Sequence, residues 1–84
     1  MNPIRTAEQY RRFLKVLREA RESAGVTQTE LAARLGESQS FVSKCERGER
    51  RLDVIDLIRF CDALAIDPTV FLSSVILALR TVKK

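Results

Sequence analysis

Eighty-four residues at net charge +4, 45% hydrophobic and 31% charged, suit one small folded unit and not a disordered chain. The absence of histidine removes His-based zinc sites, Ser/His/Asp triads and Cys/His nucleophiles, and two cysteines alone make a poor metal site, so no catalytic residue, metal or cofactor is expected and the chain does not read as an enzyme. The longest apolar run, "VFLSSVILAL" at 70–79, is far short of the roughly 20 residues of a spanning helix, and the polar N-terminus is unlike a signal peptide, so no membrane partner is expected and the cytoplasm is the expected compartment.

The hydrophobic pattern predicts an all-α fold of five helices in a single domain over 1–84, with its core at about 10–72 and a C-terminal extension at 73–84. "TAEQ" at 6–9 has capping-box form and predicts the start of a first helix. Tyr10, Phe13, Leu14, Leu17, Ala20, Arg21 and Ala24 then recur at three- and four-residue steps, and Gly25 supplies a left-handed stop. "TQTE" at 27–30 repeats the capping-box form, and Gly36 ends that helix after two turns. Ser38 caps a third helix that Gly48 ends. Asp53 caps a fourth, with Leu57, Ile58, Cys61 and Leu64 facing inward, and Asp67 followed by Pro68 opens a fifth. Cys45 and Cys61 fall on apolar faces, where cysteine acts as a small hydrophobe.

Two short helices joined by "LGES" have the spacing of a helix-turn-helix, whose first helix braces on phosphates while the second lies in the major groove. Val42 and Cys45 face inward with Leu31 and Leu35. Gln39, Ser40, Ser43, Lys44 and Arg47 cover the opposite face, where glutamine can pair with adenine, lysine can donate to guanine, and serine can reach bases or phosphates. Phe41, between the two faces, is expected to be partly buried.

"GVTQTELAARLGESQSFVSKCERG", with "LIRFCDALAIDPTVFL" behind it, resembles the XRE family of phage-repressor-like and Cro-like transcription regulators over residues 14–72. The resemblance implies a five-helix phage-repressor-like domain that binds double-stranded operator DNA, usually as a homodimer, and acts as a repressor. It places Gln39, Ser40, Ser43 and Lys44 at base-reading positions. Thr27, Gln28, Ser38, Arg47, Arg50 and Arg51 take the DNA-backbone positions, with Gln28 also fixing the docking of Gln39. It further implies a structural ion pair of Arg21 with Glu46, tying the first helix to the third.

Two features depart from the family pattern. Ala65 stands in "DALAID" where the family commonly has glycine, and a left-handed alanine would cost about 1 kcal/mol, so that turn is expected to differ. The chain also continues through "SSVILALRTVKK", where Phe71, Val75, Ile76, Leu77 and Leu79 are candidates for a dimer interface and Arg80, Lys83 and Lys84 form a basic end. Charge is uneven. Residues 5–21 hold six basic against two acidic side chains, whereas 53–67 hold one basic against four acidic, and Glu37 and Glu49 flank the third helix. An alternative function on the same scaffold is an antitoxin or bridging module that grips another protein.

Overall fold

Caps and stops written locally in the chain set nearly every helix boundary. The computed structural model describes residues 3–80, with side chains from residue 7 onward, so Lys83, Lys84 and the side chains of Arg5 and Thr6 lie outside the described residues. Five helices appear, α1 (Pro3–Ser23), α2 (Gln28–Leu35), α3 (Gln39–Arg47), α4 (Val54–Ala63) and α5 (Pro68–Arg80), and the described residues include no strand. No helix among them is long and apolar enough to cross a membrane.

The N-terminal ends follow side-chain capping, in which a short polar side chain accepts from an orphan amide. Thr27 Oγ1 accepts from Glu30 N at 3.0 Å while Thr27 N donates to Glu30 Oε1 at 2.8 Å. Ser38 Oγ accepts from Phe41 N at 3.1 Å. Asp53 and Asp56 make a second reciprocal box, and Asp67 Oδ1 accepts from Thr69 N at 2.8 Å. The first helix is the exception. It starts by Pro3, so Thr6 lies inside α1 and does not mark its beginning.

Four helix ends share one geometry, a bond from the residue after a left-handed one back to a carbonyl five residues earlier. Val26 N donates to Arg21 O, Glu37 N to Ala32 O, Glu49 N to Lys44 O and Ile66 N to Cys61 O. The fourth corrects the expectation for "DALAID". Ala65 adopts φ 58° and closes the turn as glycine does elsewhere, so the geometry is retained at the cost of a strained alanine. Gly48 carries a further demand: besides its φ of 83°, a Cβ there would lie 3.2 Å from Leu14 Cδ1, in the contact between α1 and the end of α3.

The core gathers Leu17, Val26, Leu31, Val42, Phe60 and Phe71 with Cys45, Cys61, Leu64 and Val75. Both cysteines are free and buried, and burial pushes their thiols above the ordinary range, in keeping with a packing role. Phe41 is partly buried against the cluster, its ring centroid 6.4 Å from that of Phe60. The inward assignment of the fourth helix fails at Ile58, which is 41% exposed, because Phe60, Cys61 and Leu64 turn that side of α4 outward. Ala24 is likewise exposed, in the turn beyond α1.

Two arginines lock α2 to α4 reciprocally. Arg34 Nη1 donates to Ala63 O at 2.9 Å, at the end of α4, and Arg59 Nη2 donates to Leu35 O at 2.9 Å, at the end of α2. Each covers a carbonyl that its helix leaves unpaired, with the cation at the negative end of the dipole. Between α4 and α5 the chain bends by 116°.

Candidate nucleic-acid interface

α3 is amphipathic in the sense its sequence sets out. Val42 and Cys45 are fully buried, while Gln39, Ser40, Lys44 and Arg47 are exposed on the outer side. Ser43 is only half exposed, and its hydroxyl receives a hydrogen bond from Arg47 Nη1. A helix held on one face and polar on the other needs a rigid support, which α1 and α2 provide.

Arg21 is the centre of that support. Its Nε donates to Glu46 Oε2 at 2.7 Å and its Nη2 to Glu46 Oε1 at 3.1 Å, while Nη1 donates to Val26 O at 2.8 Å. One guanidinium thus joins the end of α1, the entry to α2 and the last turn of α3. The two side chains are 10% and 3% exposed, and the hydrogen bonds that the arginine donates to Glu46 outweigh burial to raise it above its already basic range.

The network continues outward. Gln28 Nε2 donates to Glu46 Oε1 at 2.9 Å, and Gln39 Nε2 donates to Gln28 Oε1 at 2.7 Å. Four side chains from three helices therefore form one line from the buried ion pair to the exposed amide of Gln39. The family resemblance contained the pairs Arg21–Glu46 and Gln28–Gln39, but not the Gln28–Glu46 bond that joins them.

The remaining expected residues are placed as follows. Thr27 and Ser38 act as caps, yet each hydroxyl keeps its own proton for donation outward. Arg47 pairs with Glu49 at 2.9 Å, both half exposed, and this contact raises the arginine and lowers the carboxylate. Glu37 is matched in the same way by Arg59 at 3.4 Å, so neither acid flanking α3 stands as an isolated negative charge. Arg50 lies 4.8 Å over the Phe41 ring and 3.6 Å from Asp56, and Arg51 lies 4.1 Å over the Tyr10 ring, which orders both arginines of the loop after α3.

Three further basic residues border this surface without having been among the expected site residues. Arg11, Lys15 and Arg18 line a cleft of about 260 Å³ with Leu14, Glu46 and Arg47. Their signal was in the sequence: a basic excess at i, i+4 and i+7 along the first helix. Of the dimer candidates, Phe71 and Val75 are buried in the chain's own core, which corrects their expected place at an interface; Leu79 is half buried, and Ile76 and Leu77 are 39% and 70% exposed.

Two short helices at a tight turn, the first hydrogen-bonded to the outer face of the second, define a DNA-binding helix-turn-helix domain. A helix-turn-helix family model matches residues 17–71. The chain is also similar to a solved structure, an XRE-family like protein from Pseudomonas syringae pv. tomato str. DC3000, at 51% identity and a TM-score of 0.80, over 86% of this chain and 88% of that one. No curated protein matches the chain. The chain belongs to the XRE family of helix-turn-helix proteins, which are DNA-binding transcription regulators and not enzymes.

Proposed function

We propose that the chain is a sequence-specific repressor that binds double-stranded operator DNA as a homodimer. The observation that carries this reading is the exposed amide of Gln39 at the start of α3, held by Gln28 at the start of α2. α3 enters the major groove, where Gln39, Ser40, Ser43 and Lys44 meet base edges. Thr27, Gln28 and Ser38 meet phosphates at the two helix starts. Arg47, Arg50 and Arg51 meet phosphates beyond α3, and the Arg11, Lys15 and Arg18 row extends the attraction along α1.

The dimer is supported by the aliphatic side chains that α5 leaves uncovered, Leu72, Ile76 and Leu77. A two-fold arrangement through α5 sets two copies of α3 about 34 Å apart, so both enter successive major grooves on one face of the duplex. Occupying the operator then excludes other proteins from it.

Fluorescence anisotropy of the chain with random and selected duplexes over a salt series tests this reading. Binding that weakens steeply with salt and favours the selected duplex supports it; absent or salt-insensitive binding overturns it. The second reading, an antitoxin or bridging module, is favoured by Val54 and Ile55, aliphatic side chains that the first turn of α4 leaves exposed. Retained α4 and α5 contacts with a protein partner and no salt-dependent DNA binding would be its signature.

A further inference from the structure

We infer that Glu46 is a specificity-positioning residue: it sets which end of the Gln39 amide faces the DNA, acting through Gln28. The inference rests on the base-reading role proposed for Gln39. It follows from donor and acceptor inventory alone. A carboxylate paired with arginine accepts hydrogen bonds and has none to donate, so the Gln28 group turned toward Glu46 must be its NH₂. The Gln28 carbonyl oxygen is then the atom left for Gln39, and it too can only accept. Gln39 must therefore present its own NH₂ inward, as the 2.7 Å contact has it.

The consequence lies at the exposed end of the line. With one Nε2 proton engaged by Gln28, Gln39 offers outward a carbonyl acceptor and one remaining N–H. Adenine presents N6–H and N7 in the major groove, a donor beside an acceptor, and matches that pair; guanine presents two acceptors, N7 and O6, and sets O6 against the Gln39 carbonyl. An unsupported glutamine can turn its amide over and meet guanine with NH₂. Glu46 removes that freedom without approaching the DNA, and Arg21 holds Glu46 in place for the purpose.

The arrangement separates two roles that a structural ion pair alone would not. Gln28→Ala leaves the Arg21–Glu46 pair intact but cuts the line, so it should relax base choice with little effect on folding. Glu46→Gln keeps the side-chain shape but can turn either end toward Gln28, so both glutamine amides lose their fixed polarity. Glu46→Asp keeps the charge opposite Arg21 and draws the oxygens back by one methylene, providing a second way to break the contact if Glu46→Gln folds poorly.

The experiment uses the intact chain, the duplex it selects from a random library, and the three single-base variants of that duplex at the position whose preference Gln39→Ala abolishes. The expected result is a loss of adenine-over-guanine preference at that position by about tenfold in Gln28→Ala and in the Glu46 variant that folds, with no further loss when either is combined with Gln39→Ala. Without DNA, the side-chain amide signals of Gln39 should move and broaden in the Glu46 variants. A Gln39→Ala effect with unchanged preference and unchanged Gln39 amide signals in the Glu46 variants would overturn the relay and leave the base-reading role standing. No base preference lost in Gln39→Ala would overturn both.

Discussion

The half of the molecule built from α1, α2 and α3 and the half built from α4 and α5 solve different problems. In the first, helices are joined by directional side-chain bonds that converge on Arg21, Glu46, Gln28 and Gln39. In the second, α4 and α5 meet through Phe60, Cys61, Leu64, Phe71 and Val75, and both helices leave aliphatic side chains outside. Apolar packing fixes position but tolerates rotation and exchange, whereas hydrogen bonds fix which atom points where. The proposed base reading needs the second kind of constraint, and the proposed joining of two copies needs only the first.

The largest effect should come from breaking the directional half at its centre. Arg21→Ala leaves Glu46 buried without its cation and frees Val26 O, and removing one partner of a buried pair costs about 3–5 kcal/mol, against under about 1 kcal/mol for an exposed pair. Denaturant unfolding should show a large fall in midpoint. A midpoint equal to the parent's would mean that the pair contributes no more than a surface contact does.

The packing half should fail in assembly, not in folding. Ile76→Glu with Leu77→Glu places charge on exposed positions of α5, so sedimentation equilibrium should show a dimer at tens of micromolar for the parent and a monomer for the variant, with similar unfolding midpoints for both. A monomeric parent would remove the dimer, and a dimeric variant would move its interface away from α5. Phe71 and Val75 are unsuitable for this test, because their substitution would open the core.

The one strained turn offers a smaller handle. Ala65→Gly relieves the left-handed alanine but adds freedom to the unfolded chain, so a net gain of about 0.5 kcal/mol is expected from thermal or denaturant unfolding. A loss of stability would show that Ala65 contributes packing that outweighs its backbone strain. Smallest in energy, Arg47→Ala should lower the salt slope of DNA binding by less than the one unit of an uncommitted phosphate contact, since Glu49 already engages Arg47; Lys15→Ala, in the cleft, should lower it by about one. A full unit lost in Arg47→Ala would mean that DNA displaces Glu49.

What was legible in the sequence was what is decided within a few residues. The caps at Thr27, Ser38 and Asp53 and the stops at Gly25, Gly36 and Gly48 each depend on one residue type at one conformation, and all appear where the pattern puts them. Thr6 misled because a capping-box pattern also fits inside a helix that simply begins earlier. Ile58 misled because the helical period leaves a margin of one position in which face is buried, and only the packing of Phe60 settled it. At Ala65 the surrounding turn overrode the residue's own preference.

The site was legible as a face but not as a network. Period alone put Gln39, Ser40 and Lys44 outside and Val42 and Cys45 inside. The bond from Gln28 to Glu46 spans 18 positions, and the Arg34 and Arg59 contacts to helix-end carbonyls span 29 and 24, so no local pattern announces them. The same period puts Ser43 and Arg47 on the outer face but does not show that Arg47 donates to the Ser43 hydroxyl.

On the proposed reading, the half built from α1, α2 and α3 presents Gln39 to a base, and one measurement tests this most directly. Binding of the parent and of Gln39→Ala should be compared on the selected duplex and on a random duplex at the same salt concentration. The expected result is a loss of about 1–3 kcal/mol on the selected duplex with binding to the random duplex nearly unchanged. Equal losses on both duplexes would contradict the claim, making Gln39 a contact to the backbone and leaving the line from Arg21 to Gln39 a purely structural feature.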